Sequence, residues 1–95
     1  MLQYYIAERC LGYQQITSLS AATGLTFPVG TTLALITAEG QAVRWRDDGN
    51  APTATIGYPL AAGVELRYTA LGQGTLKFIE QTASAKLNIT YYGDK

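Results

Sequence analysis

The sequence predicts an all-β fold, either an antiparallel β-sandwich of jelly-roll-like form or a small barrel, and two observations predict it. Breakers recur at short intervals: Gly12, Gly24, Pro28, Gly30, Gly40, Asp47-Asp48-Gly49-Asn50, Pro52, Gly57, Pro59, Gly63, Gly72 and Gly74. Few segments between them are long enough for a helix, and strand-length runs fill the gaps. Within those runs apolar and polar residues alternate with period two. With short connections and no strand–helix–strand rhythm, stacking or closing sheets is the economical way to bury such faces. The expected count is six to seven strands.

Residues 1–95 read as one domain, with 1–12 an N-terminal arm or edge strand and Tyr13 to Leu19 the first full strand. Leu19 to Gly24 has the composition of one helical turn. Thr32-Leu33-Ala34-Leu35-Ile36-Thr37-Ala38 is apolar on both faces, which predicts a central strand covered on both sides. In Ala42 to Arg46, Val43 and Trp45 share one face and Arg44 and Arg46 the other. Val64 to Ala70 sets Val64, Leu66, Tyr68 and Ala70 against Glu65, Arg67 and Thr69. Gly72-Gln73-Gly74-Thr75 reads as a hairpin connection into a strand over Thr75 to Gln81. Lys86 to Tyr92 closes the series with Leu87, Ile89 and Tyr91 inward.

Charge is sparse and balanced, seven Lys or Arg against seven Asp or Glu, with no basic stripe of the kind phosphate neutralisation requires. No nucleic-acid partner is expected. The charged fraction of 15% is below the roughly 25% of an average domain, leaving a surface rich in Thr, Gln, Ala and Tyr. A chain this short buries only about two thirds of its unfolded surface, so association is a natural source of further stability. Cys10 is the only cysteine, which excludes an intrachain disulfide. Met1 to Arg9 lacks the pattern of a secretory leader, and the stretch Leu25 to Ala38 is too short and too broken to span a bilayer. The expectation is a soluble, cytoplasmically made protein with no membrane partner.

The densest polar cluster is Arg44-Trp45-Arg46-Asp47-Asp48-Gly49-Asn50. It reads as a strand with Trp45 directed to the core, followed by an Asx turn; the alternative is a sugar site with Trp45 as stacking platform and Asp48 and the arginines as hydroxyl ligands. The spacing of Asp47, Asp48 and Asn50 does not match a calcium loop, and a chain without histidine cannot assemble the usual zinc set. No metal and no cofactor is expected. The acids are scattered, Cys10 has no histidine to activate it, and the Gly72–Gly74 segment lacks the lysine of a phosphate loop, so the expectation is a non-enzyme. Asn88-Ile89-Thr90 matches a glycosylation sequon, read as chance. Tyrosine is enriched, seven in 95, with doublets Tyr4-Tyr5 and Tyr91-Tyr92. Neighbours on a strand face opposite ways, so Tyr4, Tyr5 and Tyr92, with Arg44 and Arg46, are the candidate interface residues; packing within one subunit is the other account of the tyrosines.

Val43-Arg44-Trp45-Arg46-Asp47-Asp48-Gly49, Ala51-Pro52-Thr53-Ala54-Thr55-Ile56-Gly57-Tyr58-Pro59-Leu60, Lys77-Phe78-Ile79-Glu80-Gln81 and Ala85 to Tyr92 occur in an order that resembles a group of small, mostly uncharacterised proteins of tailed bacteriophages. The resemblance implies a virion structural protein made in the host cytoplasm, a head decoration or cement protein or else a tail or fibre accessory. It implies no residue roles. Joined to the missing catalytic residues, it leads to the expectation of a self-associating β-domain, a cyclic trimer, that docks on capsid or tail proteins. The rival expectation is a carbohydrate-binding module contacting the host surface.

Overall fold

The computed structural model describes residues 9–69 and 75–93, which are all-β with no helix. The strands are β1 (Arg9–Ile16), β2 (Thr23–Gly24), β3 (Thr31–Glu39), β4 (Val43–Arg46), β5 (Tyr58–Leu60), β6 (Glu65–Thr69), β7 (Lys77–Glu80) and β8 (Lys86–Gly93). They form two four-stranded antiparallel sheets, ordered β1-β8-β3-β6 and β2-β7-β4-β5. The first holds both terminal strands and is called here the terminal sheet; the second contains the β4–β5 hairpin and is called the hairpin sheet. Strand 1 pairs with 8, 2 with 7, 3 with 6 and 4 with 5, the pairing of one long hairpin laid alternately into two layers. Neither sheet closes on itself, so the barrel alternative is corrected to two open sheets.

The alternation read from the sequence sets the inner faces of β4 and β8, while on β3, which reads apolar on both faces, only one side is fully buried. On β3, Ala34, Ile36 and Ala38 are buried, and on β8 Leu87, Ile89 and Tyr91. They meet Val43, Leu60 and Phe78 from the hairpin sheet, with Leu19, Leu25, Leu76 and Ala85 from the connections, in a single buried cluster. Each large aliphatic or aromatic side chain fully buried there contributes about 1.5–3 kcal/mol.

Four expectations need correction. The eight strands exceed the expected six to seven because β2 has two residues and β5 three, too short to show a period. Pro59 lies in β5, an edge strand where its missing N–H costs no ladder bond. The first strand begins at Arg9 rather than Tyr13, and of the two readings of residues 1–12 the edge strand is what Arg9 to Gly12 form, paired with β8 across a bulge between Cys10 and Gly12. The proposed helical turn is instead a bend into β2, where the Thr23 hydroxyl donates to the Ala21 carbonyl at 2.9 Å. Finally, β3 is central in its sheet, as its composition predicts, but only its inner face is covered by the other sheet. Leu33, Leu35 and Thr37 on the outer face are half-buried by their own sheet neighbours.

Candidate functional site

Every connection except β4–β5 passes between the sheets, so the connections collect at two ends. At one end they are tied by backbone bonds, Glu80 N–H to Leu19 O at 3.0 Å, Gln81 N–H to Ala42 O at 3.0 Å and Gly63 N–H to Ala38 O at 2.8 Å. The other end carries the longest described connection, residues 47–57, and a group of five aromatic side chains.

There a chain of rings crosses from one sheet to the other. Tyr91 lies 5.6 Å from Phe27, Phe27 meets Tyr68 edge-on at 6.5 Å, Tyr68 meets Trp45 edge-on at 6.3 Å, and Trp45 lies 5.2 Å from Tyr58 at a 30° tilt. Edge-on and offset contacts of this kind suit the ring quadrupoles. The Tyr68 hydroxyl donates to Asp47 Oδ2 at 2.9 Å. Burial, reinforced by that carboxylate, holds the Tyr68 phenol above its ordinary pKa, and burial alone does the same for Tyr91. Trp45 therefore points inward, as its alternation predicts, but ends half-buried at the rim of the core.

The outward residues of β4 act differently from one another. Arg44 reaches across the 47–57 loop, donating from Nη1 to Gly57 O at 2.7 Å and from Nε to Ala54 O at 3.2 Å. Pro52 is buried beneath this loop. Gly57 has φ +138°, and a Cβ there would come within 3.2 Å of Arg44 Cβ and Pro52 Cβ, so the loop packs on the strand where only glycine fits. Arg44 is thus a clamp rather than an exposed contact. Arg44→Ala is expected to loosen the loop by about 1.5–3 kcal/mol, seen as exchange of the Ile56 amide at least about tenfold faster.

Arg46 forms a bidentate pair with Asp48, Nε to Oδ1 at 3.1 Å and Nη2 to Oδ2 at 2.5 Å. The Asn50 amide also donates to Asp48 Oδ1, at 3.2 Å, completing the expected Asx turn. The Arg46 hydrogen bond is the main cause holding the Asp48 carboxyl down at about 2. A depressed carboxyl gives stabilisation that is present above the ordinary carboxylate range and lost as pH falls towards 2. NMR titration of the Asp48 side chain is expected to find its midpoint near 2 in the native protein and to move it up towards the ordinary range in Arg46→Ala.

Arg46, Asp47, Asp48, Ile56, Gly57 and Tyr58 line an open groove of about 340 Å³ at this end. Of the residues singled out from the sequence, Arg46, Trp45 and Asp48 converge here, while Arg44 holds the loop that forms one wall. Tyr58 and Ile56, 68% and 55% exposed, were missed. Their signal was the Gly57 and Pro59 punctuation around Tyr58, which marks a constrained turn but not what it presents. Among the described residues no cluster of three His, Cys, Asp or Glu could hold a metal ion.

Tyr92 lies elsewhere, half-buried on the outer face of the terminal sheet opposite Leu33 and Cys10. The next row is Tyr13, Thr90, Leu35 and Arg67, with Tyr13 61% exposed, and the next Gln15, Asn88, Thr37 and Glu65. Asn88 is bonded on both sides, its Oδ1 accepting from Tyr13 and Gln15 and its Nδ2 donating to Glu39. The sequon asparagine is therefore held in the middle of a sheet. Tyr4 and Tyr5 lie outside the described residues.

Fold and surfaces together define a small two-layer all-β domain with an aromatic-rimmed groove at one end and an apolar-centred outer sheet face. Comparison with protein-family models, with curated proteins and with solved structures returns no match.

Proposed function

We propose that this chain is a non-enzymatic structural protein of a bacteriophage particle, a jelly-roll sandwich that self-associates and docks on the capsid as a head decoration protein. The observation that carries the reading is the outer face of the terminal sheet. Leu33 and Leu35 stand at its centre, flanked by Tyr13 and Tyr92, and none of the eight strands lies over them. An antiparallel sheet facing water on one side ordinarily carries polar residues there. An apolar centre flanked by tyrosine instead suits the buried core of an interface, where aromatic residues are enriched, and tyrosine anchors such contacts at low entropic cost.

The topology supports the same reading. Eight strands paired as one folded hairpin across two sheets are what a double-sheet jelly roll requires, an arrangement that manages exposed edges and is used in viral capsid and lectin domains. Low charge leaves little repulsion between copies, and a cyclic trimer would gain avidity on a symmetric capsid surface without new contacts. The order of motifs between Val43 and Tyr92 supports a phage origin.

Light scattering of the pure protein and cosedimentation with particles lacking it test the two halves of the proposal. Leu35→Glu places a charge at the centre of the face without touching the core, and is expected to give a folded monomer that no longer sediments with particles. A wild-type chain that is strictly monomeric and ignores particles overturns the reading.

A further inference from the structure

The groove beside Tyr58 is separate from the outer face of the terminal sheet, and we infer that it is a binding site for a neutral saccharide ring. Tyr58 would be the stacking platform and the Arg46–Asp48 pair the hydroxyl ligands. One side of the Tyr58 ring leans on Trp45 at 5.2 Å, yet the residue is 68% exposed, so its remaining surface is presented to solvent in a fixed position. A platform already positioned saves the ordering cost of binding. Ile56, 55% exposed, extends the apolar floor.

Polar capacity comes from other residues that line the same groove. The pair engages two of the five N–H donors of Arg46, and Asp48 Oδ2 accepts from Arg46 alone among the described residues. Donor and acceptor are therefore offered side by side, the spacing at which vicinal hydroxyls present the complementary groups.

Charge narrows the ligand. Asp47 and Asp48 stand against Arg46 in the lining and Arg44 bonded to the lining Gly57 carbonyl, two carboxylates and two guanidiniums, so the groove carries no net charge. A groove without positive excess offers phosphates, sulfates and carboxylates little attraction, and single-stranded nucleic acid, which needs a cationic groove beside its stacking rings, is disfavoured as well. A metal ion wants six or more oxygens, while Asp48 is already engaged by a guanidinium. An apolar ligand would strip water from the ion pair and return no hydrogen bond. An uncharged ring with a C–H face and a hydroxyl rim meets every requirement. The volume of about 340 Å³ falls at the lower end of small-ligand sites, about 300–1,000 Å³, as suits a short saccharide.

Trp45 is the only tryptophan and touches Tyr58, so its emission reports on the groove. The full chain is titrated with glucose, galactose, mannose and N-acetylglucosamine and with short oligomers of each, and in parallel with glucose 6-phosphate. At least one neutral sugar is expected to give a saturable change. Asp48→Asn and Tyr58→Ala are each expected to weaken it at least tenfold, with the thermal transition retained. If Tyr58→Ala does not fold, Ile56→Ser takes its place, since its side chain is exposed and bears on the same floor. Leu35→Glu, on the other surface, is expected to bind the sugar as wild type does. No saturable change with any neutral probe, a response to the phosphorylated sugar alone, or unchanged affinity in the groove variants overturns the inference.

Discussion

Replacing Phe78 by alanine is expected to remove about 3–5 kcal/mol of folding stability, enough to leave up to about half of the molecules unfolded if the total lies at the low end of the usual 5–15 kcal/mol. Phe78 is fully buried and is the largest side chain with no exposure among the described residues. It sits at the centre of the hairpin sheet, on β7, paired with Thr23 on one side and Trp45 on the other. Its loss would open a cavity bounded by two stiff ladders that cannot collapse into it. Urea denaturation followed by Trp45 emission measures the change, because the indole lies on the strand next to the deleted ring. Phe78→Leu, which keeps much of the volume, is expected to recover a substantial part of the loss.

A comparable loss, about 3 kcal/mol, is expected from Gly93→Val, for a reason of backbone rather than of volume. Gly93 ends β8 between Arg9 of β1 and Thr31 of β3, so its backbone is paired on both sides. A Cβ there would overlap the backbone carbonyl of Gly30 and approach Leu11 Cδ1 to 3.1 Å. Gly30 cannot easily withdraw. Its φ of +92° belongs to a turn closed by Thr31 N–H donating to Pro28 O at 3.1 Å, with the Thr31 hydroxyl donating to the same oxygen at 2.6 Å. Relief must come from detaching the end of β8 or reshaping that turn. Gly12→Ala is the control, since nothing lies within 4 Å of a Cβ at that position and its expected effect is within about 0.5 kcal/mol. Denaturant midpoints of the two variants separate steric overlap from the general cost of placing a side chain in a strand.

The site was legible in part. The cluster from Arg44 to Asn50 was visible because its residues are consecutive, and the inward turn of Trp45 followed from period two. Its partners were not visible. Tyr58 reaches Trp45 because β5 pairs with β4 in a register that sets the two opposite, and Tyr68 reaches Asp47 across 21 positions of chain. Nor could the alternation separate the two arginines. Arg44 and Arg46 share a face and a charge, yet one is spent on loop carbonyls and the other on a carboxylate two residues away. That difference comes from the path of the 47–57 loop, which folds back over Arg44.

From its residues alone the chain determined its all-β class, the inward sides of β4 and β8 and the Asx turn after Arg46, because these depend on neighbours two to four positions apart. Tertiary structure alone decided the two-sheet pairing and the short strands β2 and β5. It also decided that no strand of the described residues lies over the outer face of β3, and that Tyr58 and the Arg46–Asp48 pair line one groove. Those outcomes rest on contacts between residues far apart in the chain, where the free energy of joining two faces depends on every strand that lies between them.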